Sequence, residues 1–329
     1  MEKLITERKA REQYYTSTMP VIIDAHAHLW LWQHTTVCGK KIEQQPYGRA
    51  SFLGMQKQMM SPWIDDNHNT AERMLAQMDF AQVSAAVITQ EFIDGLQNDY
   101  LEYVGRRWAD RFFVYGMCEF RRPGFLIEAQ VLVRRGFRGI KLCAGRLADQ
   151  QRLDGITPTF TNPEFMQMYH LMEEHDMILG LELSDGDEQC AEVETIVREC
   201  PRLKIVLGHF CMVTRDRWQQ QMMLCRHTNV YTDMGGITWL FNDEYWPYPS
   251  AIKAIRESID MVGAEKLLWG SDYPRTIANI TYRQSYDWII KSTELSEEEK
   301  HLILGGNAQR LYAFTALPAN MPYISNMSE

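Results

Sequence analysis

Most simple functional signatures are missing from this chain. Its 329 residues hold seven cysteines, Cys38, Cys118, Cys143, Cys190, Cys200, Cys211 and Cys225, and none forms a C-x-x-C pair. A scattered, odd set is a poor disulfide framework, so a reducing, cytoplasmic setting is expected. No uninterrupted apolar run approaches the ~18 residues of a membrane span. The opening MEKLITERKAREQYYTS is charged and lacks the apolar stretch of a signal peptide. Lys and Arg number 34 against 43 Asp and Glu, for a net charge of −9. That balance argues against a nucleic-acid backbone binder, while leaving room for a local basic pocket. No G-x-G-x-x-G or G-x-x-x-x-G-K-[ST] follows the first apolar run, which weakens a dinucleotide- or nucleotide-binding open sheet.

What is present is alternation. Short apolar, β-rich runs stand at 20–25, 84–89, 112–118, 138–143, 177–183, 204–208, 229–233 and 267–271. Helix-patterned stretches separate them, with Thr70 as an N-cap, Asn98 starting a second helix and Pro163 in the first turn of another. The runs are continuously apolar, which implies cover on both faces. Eight such strands separated by helices predict an α/β fold, a (β/α)8 TIM barrel, with residues 1–329 as a single domain. One connection breaks the rhythm. Residues 31–69 form an insertion far longer than a usual strand-to-helix loop, and it leaves the active-site end of strand 1. Its bulky Phe52, Met55, Met59, Met60 and Trp63 fit a lid or a homo-oligomer contact. Residues 318–329 read as a C-terminal arm.

Chemistry gathers at the strand ends. Strand 1 closes with Asp24-Ala25-His26-Ala27-His28, and strand alternation sends both imidazoles the same way, where they can grip one divalent metal. Strand 8 runs Leu267-Leu268-Trp269-Gly270-Ser271-Asp272, placing an acid on the same rim, and strand 6 delivers His209 there. Singly, each is as readily a loop cap or a core polar group; together they are three strand ends converging on one mouth. His34, His68, Trp30 and Trp32 are lid contributions without spacing support. His170, His175, His227 and His301 read as surface or packing residues.

IDAHAHLW, the strand-6 His, WGSDYP and the late LILGGNAQRL together resemble the amidohydrolase superfamily, in its amidohydrolase-2 branch of decarboxylases and pyrone and sugar lactonases. The resemblance spans about 20–315. It implies that His26, His28 and Asp272 hold a divalent metal, Zn2+ or else Mn2+, with His209 as an acid/base beside it. A strand-5 His usually completes the set, but Glu182 stands there instead. A carboxylate is an acceptable replacement ligand; otherwise the metal is weakly held or absent, as in some lactonases of the branch. Lys141 on strand 4 is implied to bind a substrate carboxylate. Arg146 adds a planar two-pronged grip, and Arg275 is a weaker candidate. A small, carboxylate-bearing substrate follows, with no nucleic acid and no membrane partner.

The expected reaction is hydrolysis of a lactone or related carboxylic ester by an activated water, with Asp272 and His209 moving protons. The rival is a non-oxidative decarboxylation of a hydroxylated aromatic or muconate-type acid on the same metal site. A silent, ligand-binding barrel is a third reading, disfavoured by the His/His/His/Asp rim.

Overall fold

Each apolar run becomes a strand of one ring. The computed structural model describes residues 21–37, 40–52, 55–143, 159–184, 186–187 and 189–317. Strand β1 (Ile23–His28) opens the ring. The insertion contributes β2 (His34–Val37), β3 (Lys40–Gln45), β4 (Arg49–Phe52) and β5 (Met55–Gln58). The ring continues through β6 (Ala85–Thr89), β7 (Phe112–Val114), β8 (Gly139–Cys143), β9 (Ile178–Glu182), β10 (Lys204–Leu207), β11 (Val230–Asp233) and β12 (Leu267–Leu268). Two parallel arcs, β1-β6-β7 and β8-β9-β10-β11-β12, make up the ring. Single parallel bridges join them, Gly116 to Ile140 and Ala27 to Tyr273. The fold is therefore the expected TIM barrel, and β1 runs further than the apolar pattern alone suggested.

Burial explains the composition of the strands. Every residue of β1, β6, β8 and β9 is buried, because parallel ring strands face side chains within and helices without. Ile23, Ala25, Ala85, Val87, Phe113, Ile178, Val206 and Leu268 pack together in one cluster, and a second, larger cluster takes the opposite faces and the helices. Helix α1 (Ala71–Ala81) is typical of the cover. Thr70 caps it by accepting from the Arg73 N–H, and Ala71, Met74, Met78 and Ala81 form its buried stripe. Fully burying each methionine is worth roughly 1.5–3 kcal/mol. Helices α2 (Asn98–Arg107), α3 (Phe125–Arg135), α4 (Pro163–Glu174), α5 (Cys190–Glu199), α6 (Trp218–Leu224), α7 (Ile237–Leu240) and α8 (Pro249–Val262) follow. At α4 the Asn162 side chain accepts from the N–H groups of Glu164 and Phe165, and Pro163 occupies the first turn as expected.

The insertion is a four-stranded antiparallel sheet in the order β2-β3-β4-β5. It leaves and rejoins the barrel at a pinched neck, where Trp30 and Asn69 exchange two backbone hydrogen bonds of 3.0 Å. Trp30 is fully buried and donates its indole N–H to the Asn67 carbonyl, so it anchors the neck instead of lining a lid. The Ser61 hydroxyl donates to the Ile277 carbonyl, fastening the insertion to the loop after β12. Among the described residues no helix is long and apolar enough to cross a membrane. Arg146 and residues 318–329 lie outside the described residues.

Candidate metal centre

A break in register aims the two histidines. Ile23 and Ala25 face one cluster while Ala27 and Leu29 face the other, and β1 shifts register against β6 between Asp24 and Ala27. This irregularity reverses the alternation, so His26 and His28 both turn toward the groups at the ring's mouth. Their rings lie 5.3 Å apart, both buried. His26 Nδ1 is 2.9 Å from Asp233 Oδ1, and His28 Nδ1 is 2.7 Å from Asp94 Oδ2. A carboxylate only accepts, so each Nδ1 carries the proton and each Nε2 faces inward.

The inward nitrogens meet an acidic wall. His26 Nε2 is buried without a hydrogen-bond partner, and burial holds this imidazole below its ordinary pKa despite Asp233. It is a neutral ring with an unused lone pair. His28 Nε2 lies 3.1 Å from Asp272 Oδ1 and 3.7 Å from Glu91 Oε1. Burial opposes charge on His28 too, but Asp94 and Asp272 outweigh it and push its pKa up to about 9. In this state a proton on Nε2 bridges the same two atoms that a cation would bind. Asp272 is likewise buried, yet the His28 hydrogen bond and the Arg275 charge hold its carboxyl well below the usual range. Ligand atoms of His26, His28, Glu91 and Asp272 all lie within 4.8 Å of one another.

A second, overlapping group joins His26 and Glu91 to Glu182 and His209. Lys141 Nζ donates to Glu182 Oε1 at 2.8 Å, and His209 Nε2 reaches the same oxygen at 3.1 Å. His209 Nδ1 also lies 2.9 Å from the Gly235 carbonyl. Both of its partners are acceptors, so both ring nitrogens donate and the imidazole is cationic. Burial resists that charge, but Glu182 raises the His209 pKa to about 9. Burial opposes ionisation of Asp233, yet His26, Lys141 and His209 keep its carboxyl low. Five buried carboxylates (Glu91, Asp94, Glu182, Asp233 and Asp272) thus surround three cations, Lys141, His209 and Arg275. His26 is neutral and His28 is charged; once the His28 Nε2 proton leaves, as a ligand requires, two negative charges remain, which one divalent cation would neutralise.

The sequence-predicted residues are largely brought together. His26, His28, Asp272, His209, Glu182 and Lys141 share one buried cluster. Two placements differ from expectation. Lys141 is held by Glu182, and Arg275 is tied to Asp94 at 3.1 Å, Glu91 at 3.5 Å and Asp272 at 3.6 Å. Both basic groups therefore balance charge inside the wall. Sequence reasoning missed Glu91, Asp94 and Asp233. Asp233 ends an apolar run just as Asp272 follows one and could have been read the same way; Glu91 and Asp94 lie in the loop after β6 with no such signal.

A closed eight-stranded barrel with paired strand-1 histidines and a strand-8 aspartate at its mouth defines a barrel-enzyme architecture with a ligand set able to hold one divalent cation. A family model described as Amidohydrolase matches residues 23–314, and the chain belongs to that family of enzymes. A curated relative, L-fucono-1,5-lactonase from Burkholderia ambifaria, is 24% identical over 305 residues, covering 88% of this chain and 94% of that one. An amidohydrolase from Burkholderia multivorans, solved with bound zinc, superposes with a TM-score of 0.62 at 17% identity, covering 91% of this chain and all of that one. A 2,6-dihydroxybenzoate decarboxylase from Rhizobium superposes with a TM-score of 0.61 at 17% identity, covering 90% and 99%. At these identities the superpositions establish the fold.

Proposed function

We propose that this enzyme is a metal-dependent lactonase opening a lactone or related ester of a small, acidic or hydroxyl-rich molecule. The observation that carries the reading is the unpartnered Nε2 of buried, neutral His26, set beside ionised Asp272 in a wall where buried carboxylates outnumber the cations. His26, His28 and Asp272 are the ligands, and Glu91 is a better placed fourth than Glu182, because it shares their group. Two imidazoles and carboxylates suit Zn2+ first and Mn2+ second. When bound, such a cation polarises a carbonyl and acidifies water.

The chain's own residues divide the proton traffic. Asp272 is ionised and takes a proton from the attacking water as its oxygen adds to the lactone carbonyl carbon. His209 is cationic, and its Nε2–H, which rests on Glu182, turns to the carbonyl oxygen as charge develops there while Nδ1–H stays on the Gly235 carbonyl. The ring carbon–oxygen bond then breaks, the leaving oxygen receives the proton from Asp272, and the product is the hydroxy acid. Lys141 holds Glu182 in place, and Arg146 is the remaining candidate for a substrate carboxylate. The relative that hydrolyses a sugar-acid lactone supports this class. The free thiols among the described residues fit a cytoplasmic enzyme, and the insertion fits a lid or a contact between copies.

The test is a panel of sugar-acid and pyrone lactones and hydroxybenzoates with zinc-loaded protein, following acid release with a pH indicator. Ring opening that disappears in His26→Ala and Asp272→Ala supports the proposal. Carbon dioxide release without ring opening replaces it with the decarboxylase.

A further inference from the structure

The loop after β11 places an indole against the strand-8 aspartate. Trp239, in the one-turn helix α7, donates its Nε1–H to Asp272 Oδ2 at 3.0 Å. The other oxygen, Oδ1, faces His28 Nε2 at 3.1 Å and His26 Nε2 at 3.9 Å. The two oxygens of one carboxylate thus have separate tasks. The loop is shaped for this contact. Gly236 has φ +72°, and a Cβ there would fall 1.7 Å from Trp239 Nε1. The half-buried indole also lies 5.5 Å from the His209 ring, so it spans the two sides of the cluster.

We infer that Trp239 is a positioning residue for the metal centre. It ties down Asp272 Oδ2, which leaves Oδ1 as a single, fixed ligand atom and prevents the carboxylate from swinging to a two-oxygen grip. The inference rests on Asp272 being a ligand, as proposed above. Partners of this kind typically contribute ~10–100-fold to metal affinity. Gly236 serves the contact through its left-handed backbone and by leaving room for the indole.

The experiment titrates zinc into metal-free wild type, Trp239→Phe, Gly236→Ala, the double variant and His26→Ala against a chromogenic chelator. Cobalt spectra of the same proteins report coordination number, and circular dichroism confirms folding. Trp239→Phe keeps an aromatic ring and loses only the donor. It is expected to bind zinc about tenfold more weakly or worse, with an altered cobalt spectrum. Gly236→Ala should weaken binding similarly, and the double variant should be no worse than the single ones. A second readout needs no Trp239 variant to fold well. One indole N–H resonance of 15N-labelled, metal-free protein should move in Asp272→Ala. Wild type and Trp239→Phe binding zinc equally, with the same cobalt spectrum, overturns the inference about Trp239. Failure of wild type to bind zinc more tightly than His26→Ala overturns the proposed metal centre itself.

Discussion

Gly235 touches three members of the cluster, and adding one methyl there is the sharpest available perturbation. Its N–H donates to Asp233 Oδ1 at 2.9 Å, and its carbonyl accepts from His209 Nδ1 at 2.9 Å. A Cβ on Gly235 would sit 2.6 Å from both Cγ and Nδ1 of His26 and 2.9 Å from Asp233 Oδ1. Comfortable carbon–carbon separation is about 3.5–4.0 Å, so the imidazole must retreat by roughly 1 Å. Gly235 is not among the glycines with positive φ, so alanine meets steric cost alone, about 1–3 kcal/mol of overpacking. A displacement of about 1 Å in a catalytic constellation costs on the order of 100-fold. Gly235→Ala is therefore expected to fold while losing about 100-fold in kcat/KM on its lactone, with weakened zinc binding. Gly208→Ala is the matched control, since its Cβ would approach Glu182 Cγ only to 3.2 Å and His26 Cε1 to 3.7 Å. Steady-state hydrolysis and chelator competition on both variants decide the matter. Wild-type rates and zinc affinity in Gly235→Ala would refute the assigned position of His26.

Asp94→Asn offers His28 Nδ1 an amide that can donate as well as accept, allowing the tautomer with Nε2 protonated. Zinc affinity should fall about 10–100-fold in chelator competition, while Asp99→Asn, on the exposed face of α2, leaves it unchanged. Zinc at 100 times its Kd should raise unfolding free energy by about 2.7 kcal/mol in urea titrations, and the gain should vanish in His26→Ala. Arg73 hydrogen bonds hold the Asp66 carboxyl at about 2, below its ordinary value. This depressed pKa means that the contribution of the pair is complete above about pH 4 and is lost as pH falls through 2. Hydrogen exchange in the insertion should accelerate over that interval, and Arg73→Ala should remove the pH dependence.

The ring was legible because parallel strands buried on both faces are written as unbroken apolar runs, and all eight became strands. Asp272 and His209 were legible because a polar residue just after such a run has little choice but the rim. His26 and His28 were placed correctly for an incomplete reason. Strict alternation from Ile23 and Ala25 would have sent them toward the helices, and the register shift that turns them inward leaves no mark in the residue types. The insertion's strands were not foreseen, since KKIEQQ and MQKQ are polar and read as loop. Glu91, Asp94 and Arg275 form their network only once the loops after β6 and β12 lie side by side. A distance of that kind is invisible along the chain. Lys141 was expected at a substrate carboxylate, and its pairing with Glu182, 41 residues away, could not be read along the chain.

The seam where the last ring strand meets the first also governs the order of events during synthesis. His28 and Asp272 are 244 residues apart, and the seam consists of a few contacts, among them Ala25 N–H to the Trp269 carbonyl and Asp272 N–H to the His26 carbonyl. A chain emerging from the ribosome therefore carries its first strand with one edge bare until almost everything else has been made. The ligand set is completed by the same step that covers that edge. A cation caught between His28 and Asp272 would act as a latch across the join, tightened only on finished molecules, and chains broken off before Leu267 would have neither the latch nor a closed ring.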